Sequence, residues 1–159
     1  MTDMLVKLYD LPPAPRGPND AEVRRLLLPE KHLLIPWVER VFSAGWADEC
    51  EAACTRQPPS CFAALRGGQW LGFCVYDGVA RGMLGPIGVA PAMRRCGLGT
   101  ALVRAALEDM RAQGYAYAVV GWVQSEAFFA AAAGAVPIPG SEPGLFRGLM
   151  TAEGLRFEG

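Results

Sequence analysis

GMLGPIGVAPAMRRCGLGTAL, residues 82–102, is the stretch that says most about the architecture of this chain. Gly85, Pro86 and Gly88 lie within a run of apolar residues that otherwise predicts a strand over 83–89. Proline lacks the N–H that a strand ladder needs, and glycine weakens a strand unless another group must approach its backbone closely. The stretch therefore predicts a bulged strand whose free amides and carbonyls can pair with an extended ligand.

An anion-binding turn is predicted directly after this strand. Residues 94–100 read RRCGLGT and lead straight into a helix predicted over 98–113. Glycines at a helix entrance let backbone N–H groups converge on one point, and the helix dipole adds positive potential there. The adjacent Arg94 and Arg95 strengthen such a site through charge-assisted hydrogen bonds. The pattern indicates a diphosphate ligand.

The remaining elements are placed by hydrophobic periodicity and by turn residues. In the helix over 98–113, Leu102, Ala106 and Met110 define an apolar face, Arg104 lies opposite, and Gly114 is a C-cap. The other predictions are strands over 4–11, 61–66, 69–76 and 115–123, helices over 20–28 and 125–133, two short helices within 31–56, and two short strands within 136–150. The strand over 115–123 is apolar enough to be covered on both sides. This order predicts an α/β fold with a mixed central sheet and helices on both faces.

Three phosphate-binding motifs compete for the turn at 94–100. A P-loop requires Gly-Lys-Ser/Thr, and this segment contains no lysine. A dinucleotide fingerprint requires a third glycine at position 102, where the chain has Leu102. The third motif, R/Q-x-x-G-x-G/A of acyl-CoA binding, is matched by Arg94, Gly97 and Gly99. With the strand before it and the helix after it, this segment resembles the GNAT superfamily of N-acetyltransferases, and segments 37–46 and 134–146 are similar to bacterial members.

The resemblance implies a fold, a co-substrate and a set of binding residues. It implies one GNAT-like domain over 1–159 with a splayed strand in its central sheet, and acetyl-CoA as co-substrate. Backbone groups of Ile87 and Val89 would face the pantetheine arm. The pyrophosphate would be held by Arg94 and by the amides of Arg95, Cys96, Gly97, Leu98, Gly99 and Thr100.

The predicted function is acetyl transfer to an amine, with the catalytic residues unassigned. Many GNAT proteins carry a tyrosine on the final helix as general acid, and Phe129 occupies that position here. Tyr115 and Tyr117 are possible substitutes. The candidate bases, which the sequence does not rank, are Asp48, Glu49, Glu51, Asp77 and Glu126. The alternative function is a catalytically weak acetyl-CoA-binding protein with a regulatory or assembly role.

Composition limits the remaining possibilities. A chain of 159 residues with 52% hydrophobic residues is long enough for one core, and a net charge of -1 argues against nucleic acid as a partner. Five cysteines without a CxxC pair, together with His32 as the single histidine, predict reduced thiols, no metal site and a cytoplasmic location. No signal peptide or membrane segment is predicted. The expected partners are a small-molecule or peptide amine and a second copy in a homodimer. Trp37, Phe42 and Trp46 are expected in the core, with the acceptor pocket as the alternative.

Overall fold

One seven-stranded sheet forms the centre of the protein, which is described by a computed structural model covering residues 1–18 and 20–152. Asn19 and residues 153–159 of the predicted domain lie outside the described residues. The strand order is β2-β3-β4-β5-β6-β1-β7, and only β5 and β6 are parallel neighbours. The strands are β1 (Thr2–Lys7), β2 (Glu22–Arg25), β3 (Cys61–Arg66), β4 (Gln69–Tyr76), β5 (Met83–Val89), β6 (Tyr117–Val123) and β7 (Val136–Pro137).

Helices cover both faces of the sheet, as predicted. They are α1 (Lys31–Val41), α2 (Ala44–Cys54), α3 (Leu98–Ala112) and α4 (Glu126–Ala133). Alternate side chains of the strands face opposite ways, so that Phe62 joins the core beneath α3 and α4 whereas Cys61 joins the core beneath α1 and α2. None of the helices in the described part of the chain is long and apolar enough to cross a membrane.

The helix predicted over 20–28 is wrong, because this segment supplies the edge strand β2. Val23 pairs with Ala64 of β3. The side chains of the next two residues, Arg24 and Arg25, each bind a carboxylate. Arg24 donates to Glu30 at 2.6 Å, and Arg25 donates to Asp109 of α3 at 2.5 Å. Pairing with β3 and these ion pairs outweigh the weak local preference for a helix.

Two strand predictions need correction as well. The segment 136–150 holds only the two-residue strand β7, and turns follow it, with the Ser141 hydroxyl accepting from the Asp3 amide at 2.9 Å. Strand β6 alternates between buried and exposed residues, so it is not covered on both sides. Tyr117 and Trp122 of β6 are 48% and 38% exposed.

Two further details of the helices were not evident from the sequence. Pro36 lies inside α1, and the break between α1 and α2 comes at Ser43, whose hydroxyl accepts from the Trp46 amide as an N-cap. Arg104, predicted on the exposed face of α3, is 9% exposed and donates to Glu108 at 2.8 Å.

Candidate active site

A cleft of about 830 Å³ opens where β5 and β6 diverge. The two strands are in register only at Met83–Val119 and Leu84–Val120, after which β5 continues without pairing to β6. The splayed strand that the resemblance implies is therefore confirmed. The cleft runs between the free part of β5, the end of β6 and the beginnings of α3 and α4.

A bulge begins the free part of β5, as the glycines and the proline predict. Cys74 of β4 is opposite Ile87 and Tyr76 is opposite Leu84, so Gly85 and Pro86 together face a single residue of β4. Gly85 has φ +117°, a conformation that residues with a Cβ rarely adopt.

The free edge of β5 directs backbone groups into the cleft. Ala90 donates to the Leu71 carbonyl at 2.8 Å, and Gly72 is opposite Val89. Because hydrogen-bonded and non-bonded pairs alternate along an antiparallel ladder, Ile87 and Val89 point their backbone groups away from β4. The Val89 carbonyl accepts from Nε of Arg94 at 3.2 Å. The amide of Val89 and both backbone groups of Ile87 face the cleft side, where no described strand pairs with them.

The turn before α3 has the geometry of an anion site. Gly97 is the N-cap residue of α3 with φ +81°, and no side chain accepts a hydrogen bond from the first turn of the helix. The amides of Leu98, Gly99 and Thr100 at the helix start are therefore available to a ligand. Neither Arg94 nor Arg95 forms an ion pair with any described residue, so the terminal N–H groups of Arg94 and the guanidinium of Arg95 remain available as well.

Most of the predicted binding residues line the cleft, and two do not. The lining includes Ile87, Val89, Arg94, Arg95, Gly97, Gly99 and Thr100. Leu98 is 1% exposed because its side chain is part of the core, so only its amide can serve the site. Cys96 is exposed, with its thiol 3.6 Å from the Arg94 carbonyl. Gly99 packs closely against α4, since a Cβ there would lie 3.3 Å from the Phe128 ring.

The structure ranks the candidate bases that the sequence left open. Glu49 of α2 lines the cleft, and its partial burial raises the pKa of its carboxyl group. Asp77 is committed elsewhere: its carboxylate accepts from the Gly82 amide at 2.6 Å and from the Tyr115 hydroxyl, and it lies 3.7 Å from Arg56. Among these candidates, Glu49 alone is positioned to take a proton from a ligand in the cleft.

The other candidate acids are exposed and outside the cleft lining. Glu51 pairs with Lys31 at 2.8 Å, whereas Asp48 and Glu126 face solvent. His32 is also exposed and outside the cleft, at the start of α1. None of these four side chains is placed for chemistry at the divergence of β5 and β6.

The aromatic side chains of the early helices divide between core and cleft. Trp37, Phe42 and Trp46 all pack against the core beneath α1 and α2, as predicted, and only Trp46 also lines the cleft. Phe42 covers the bulged strand so closely that a Cβ on Gly88 would lie 2.6 Å from its ring. This contact explains the second glycine of β5.

No tyrosine takes the place of the absent general acid. Phe129 is 7% exposed and lines the cleft at the position predicted from the sequence. The Tyr115 hydroxyl donates to Asp77, and the Tyr117 hydroxyl lies 3.2 Å from that of Tyr9. Both lie outside the cleft lining, whose hydroxyl groups among the described residues are those of Ser43, Thr100 and Ser125.

Two features of the structure were missed from the sequence. One is a wall of the cleft formed by Trp122, Phe146 and Leu149. The other is a buried cluster of thiols. Cys50, Cys54 and Cys61 bring their sulfur atoms within 4.8 Å of one another. Only the i, i+4 spacing of the first two was visible in the sequence.

The thiol cluster lies inside the core and away from the cleft. All three cysteines are 0% exposed, and the sulfur atoms of Cys50 and Cys61 are 3.8 Å apart. Hydrogen bonds from Cys50 and Cys61, together with nearby Lys31, hold the pKa of the Cys54 thiol below its ordinary value. The five cysteines are free thiols, as predicted.

A comparison with models of protein families shows the family to which the chain belongs. The model of the acetyltransferase (GNAT) family matches residues 22–134, which is well over half of the sequence. The chain therefore belongs to the acetyltransferase (GNAT) family, which confirms the resemblance stated from its sequence. A comparison with curated proteins finds no match.

Solved structures with a similar fold are also GNAT proteins. A GCN5-related N-acetyltransferase from Sphaerobacter thermophilus matches with a TM-score of 0.66 and 19% identity, over 86% of this chain and 48% of that chain. A GNAT family acetyltransferase from Brucella melitensis, in complex with acetyl-CoA, matches with a TM-score of 0.56 and 20% identity, over 68% of this chain and 79% of that chain. At these low identities, the two matches show a shared fold and nothing more. This chain spans about half the length of the Sphaerobacter protein.

Proposed function

We propose that the protein binds acetyl-CoA in the cleft and transfers the acetyl group to an amine. The observation that carries this proposal is the continuity between the free edge of β5 and the start of α3, which has no side-chain cap. A ligand with an extended amide chain at one end and a diphosphate at the other is complementary to both. Acetyl-CoA has that chemistry, and the family to which the chain belongs supports the same ligand.

The cleft residues fit the two parts of acetyl-CoA separately. Ile87 and Val89 offer backbone groups to the pantetheine amides in the manner of an added strand. The amides of the turn from Arg95 to Thr100 receive the pyrophosphate, and Arg94 adds a charge-assisted hydrogen bond. Gly97 has nothing within 4 Å of the position its Cβ would occupy, so the backbone at this turn is open to a phosphate.

Glu49 is the proposed general base of the transfer. Its carboxylate takes a proton from the ammonium group of the acceptor, so that the neutral amine nitrogen attacks the thioester carbonyl. An amide of the free β5 edge, that of Val89, polarises the carbonyl oxygen. The new C–N bond forms as the C–S bond breaks; of the two protons left on the nitrogen, one passes to the departing CoA sulfur and the other stays in the amide. The products are the N-acetyl amine and CoA.

One observation favours the alternative, a weakly catalytic acetyl-CoA-binding protein. Phe129 places a phenyl ring where the family commonly has a hydroxyl, and the described cleft lining has no tyrosine, histidine or cysteine. The thiolate of CoA is a tolerable leaving group near neutral pH, so water can supply its proton at a lower rate. We therefore expect slow turnover together with normal co-substrate binding.

Binding and turnover are tested separately. Calorimetry and thermal unfolding with acetyl-CoA test binding, and a ligand at a hundred times its Kd stabilises a protein by roughly 2.7 kcal/mol. Release of CoA thiol in the presence of a panel of amines tests transfer. Binding with transfer supports the proposal, and binding without transfer supports the alternative. An unchanged unfolding temperature at saturating acetyl-CoA would contradict both.

A further inference from the structure

An apolar groove forms the part of the cleft that the co-substrate residues leave unused. Its six residues come from four places in the chain: Trp46 and Glu49 from α2, Val79 from the β4–β5 turn, Trp122 from β6, and Phe146 and Leu149 from the segment after β7. We call this set the acceptor groove. It shares no residue with the free edge of β5 or with the turn at 94–100, so both can be filled together.

The acceptor groove is apolar and its apolar side chains are open to solvent. Val79, Trp122 and Leu149 are 41%, 38% and 57% exposed, although large apolar residues favour burial. Glu49 is its single charged side chain, and the two other charged residues of the described cleft lining, Arg94 and Arg95, belong to the anion-binding turn. The groove is therefore complementary to a ligand with an apolar body and one positive charge.

Trp122 is held rigidly at the edge of this groove. Its φ of +55° is unfavourable for a bulky residue. Two hydrogen bonds fix it there: its amide donates to the Asp3 carboxylate at 2.9 Å, and its indole N–H donates to the Pro143 carbonyl at 2.9 Å. Strained residues that persist because the surroundings fix them are concentrated at binding sites.

The segment after β7 is fixed to the sheet by the same contacts. The Asp3 carboxylate also accepts from the Leu145 amide at 3.3 Å, and the Phe146 ring packs against Trp122 with centroids 5.6 Å apart. Phe146 covers Gly121, where a Cβ would lie 3.4 Å from its ring. The indole and the phenyl ring thus form a preorganised aromatic wall beside the cleft.

We propose that the acetyl acceptor is a primary amine with an aromatic or branched apolar body. This inference rests on the proposed function. The ammonium group lies at Glu49, which removes its proton, and the indole ring of Trp46, three residues earlier on α2, favours a cation before that transfer. The apolar body packs against Trp122, Phe146 and Leu149. A polyamine or an amino sugar would leave its additional charges or hydroxyl groups without partners in this groove.

The test compares amines that differ in the body attached to the amino group and in the number of charges. Phenethylamine, ethylamine, ethanolamine and spermidine are supplied with acetyl-CoA, and CoA thiol release gives kcat/KM for each. A single methylene in an apolar pocket changes specificity about tenfold or more, so we expect phenethylamine to exceed ethylamine and ethanolamine by at least about tenfold. Spermidine should be used no better than ethylamine.

Two exposed leucines provide a matched pair of variants. Leu149→Ser places a hydroxyl in the acceptor groove, whereas Leu27→Ser makes the same change at a leucine that is 59% exposed and outside the cleft lining. We expect Leu149→Ser to lower the preference for phenethylamine over ethylamine severalfold. Leu27→Ser should leave that preference unchanged, and both variants should keep the affinity for acetyl-CoA.

The outcomes separate this inference from the proposed function. Equal or better use of ethanolamine or spermidine would overturn the acceptor class and leave acetyl transfer intact. Loss of preference in both leucine variants, or in neither, would overturn the role of the groove. Acetyl-CoA binding without turnover of any amine would overturn the inference and support the binding-protein alternative. Failure to bind acetyl-CoA would overturn the proposed function together with it.

Discussion

Glu49→Gln is the substitution that tests the proposed base most directly. Glutamine has nearly the shape of glutamate but cannot take the proton of the acceptor ammonium. Glu49 is the only carboxylate among the described residues that line the cleft, so the remaining bases are water and buffer. A positioned general base typically contributes about 10²–10⁴-fold, and we expect kcat/KM for the amine to fall by that factor. The Kd for acetyl-CoA should not change.

The pH dependence of activity follows from the raised pKa of Glu49, whose cause is desolvation by burial. The base must be ionised, so wild-type kcat/KM should rise with pH through this raised pKa. The variant should lose that step in the profile. A profile that is the same in both proteins would exclude Glu49 as the group being titrated.

As pH rises through the raised pKa of Glu49, the free energy of unfolding should fall while kcat/KM rises. Because the folded protein binds this proton more tightly than the unfolded chain, wild-type stability falls as pH rises from the ordinary carboxyl pKa through the raised one. Glutamine has no such charge to desolvate. Above that window, the thermal unfolding temperature of Glu49→Gln should equal or exceed that of the wild type while its turnover is much lower.

Asp48→Asn is the matched control for this experiment. Asp48 is the neighbouring residue on α2 and is exposed outside the cleft lining, so its substitution should change kcat/KM by less than about twofold. An equal loss in both variants would mean that charge on α2, and not a base at position 49, is responsible. A Glu49→Gln variant as active as the wild type would refute the reasoning outright.

Three further predictions concern the remaining site residues and the thiol cluster. Arg94→Ala should weaken acetyl-CoA binding roughly tenfold to a hundredfold, and Gly97→Val should weaken it more because φ +81° is unfavourable for a β-branched residue; unchanged calorimetric affinity in both folded variants would contradict the assignment. Phe129→Tyr should raise turnover by restoring a hydroxyl, and a wild-type kcat already above about 10 s⁻¹ would show that none is needed. Metal analysis of the purified protein should find no bound ion at Cys50, Cys54 and Cys61, whose thiols are closed in the core without a fourth ligand among the described residues; stoichiometric zinc would contradict this.

The bulged strand and the anion-binding turn could be predicted because their causes are local. Pro86 cannot donate to a ladder wherever it stands, and Gly97 provides the left-handed residue at the helix start. In both cases the residue would destabilise an ordinary strand or helix. Its presence therefore indicates that the backbone there adopts an irregular conformation or contacts a ligand. Phe129, by contrast, was singled out by the resemblance to the family, and it lines the cleft.

The edge strand and the ranking of the acids could not be predicted, because their causes are distant in sequence. Residues 22–25 are a strand because β3 offers them a free edge, and Arg25 is satisfied by Asp109, which lies 84 positions further along. Asp77 and Glu49 were equal candidates in the sequence. Only the tertiary structure shows that Asp77 contacts Tyr115 and that Glu49 lines the cleft.

The acceptor groove shows how specificity can depend on contacts that local patterns do not reveal. Asp3 is an unremarkable residue of the first strand in the sequence, yet its carboxylate holds Trp122 and Leu145, which follow 119 and 142 positions later. The proposed binding turn for acetyl-CoA lies in one continuous segment, residues 94–100. The acceptor groove is instead assembled from residues that are distant in the sequence, and Asp3 holds one side of it. We therefore expect the groove to differ between proteins of the family while the turn is kept.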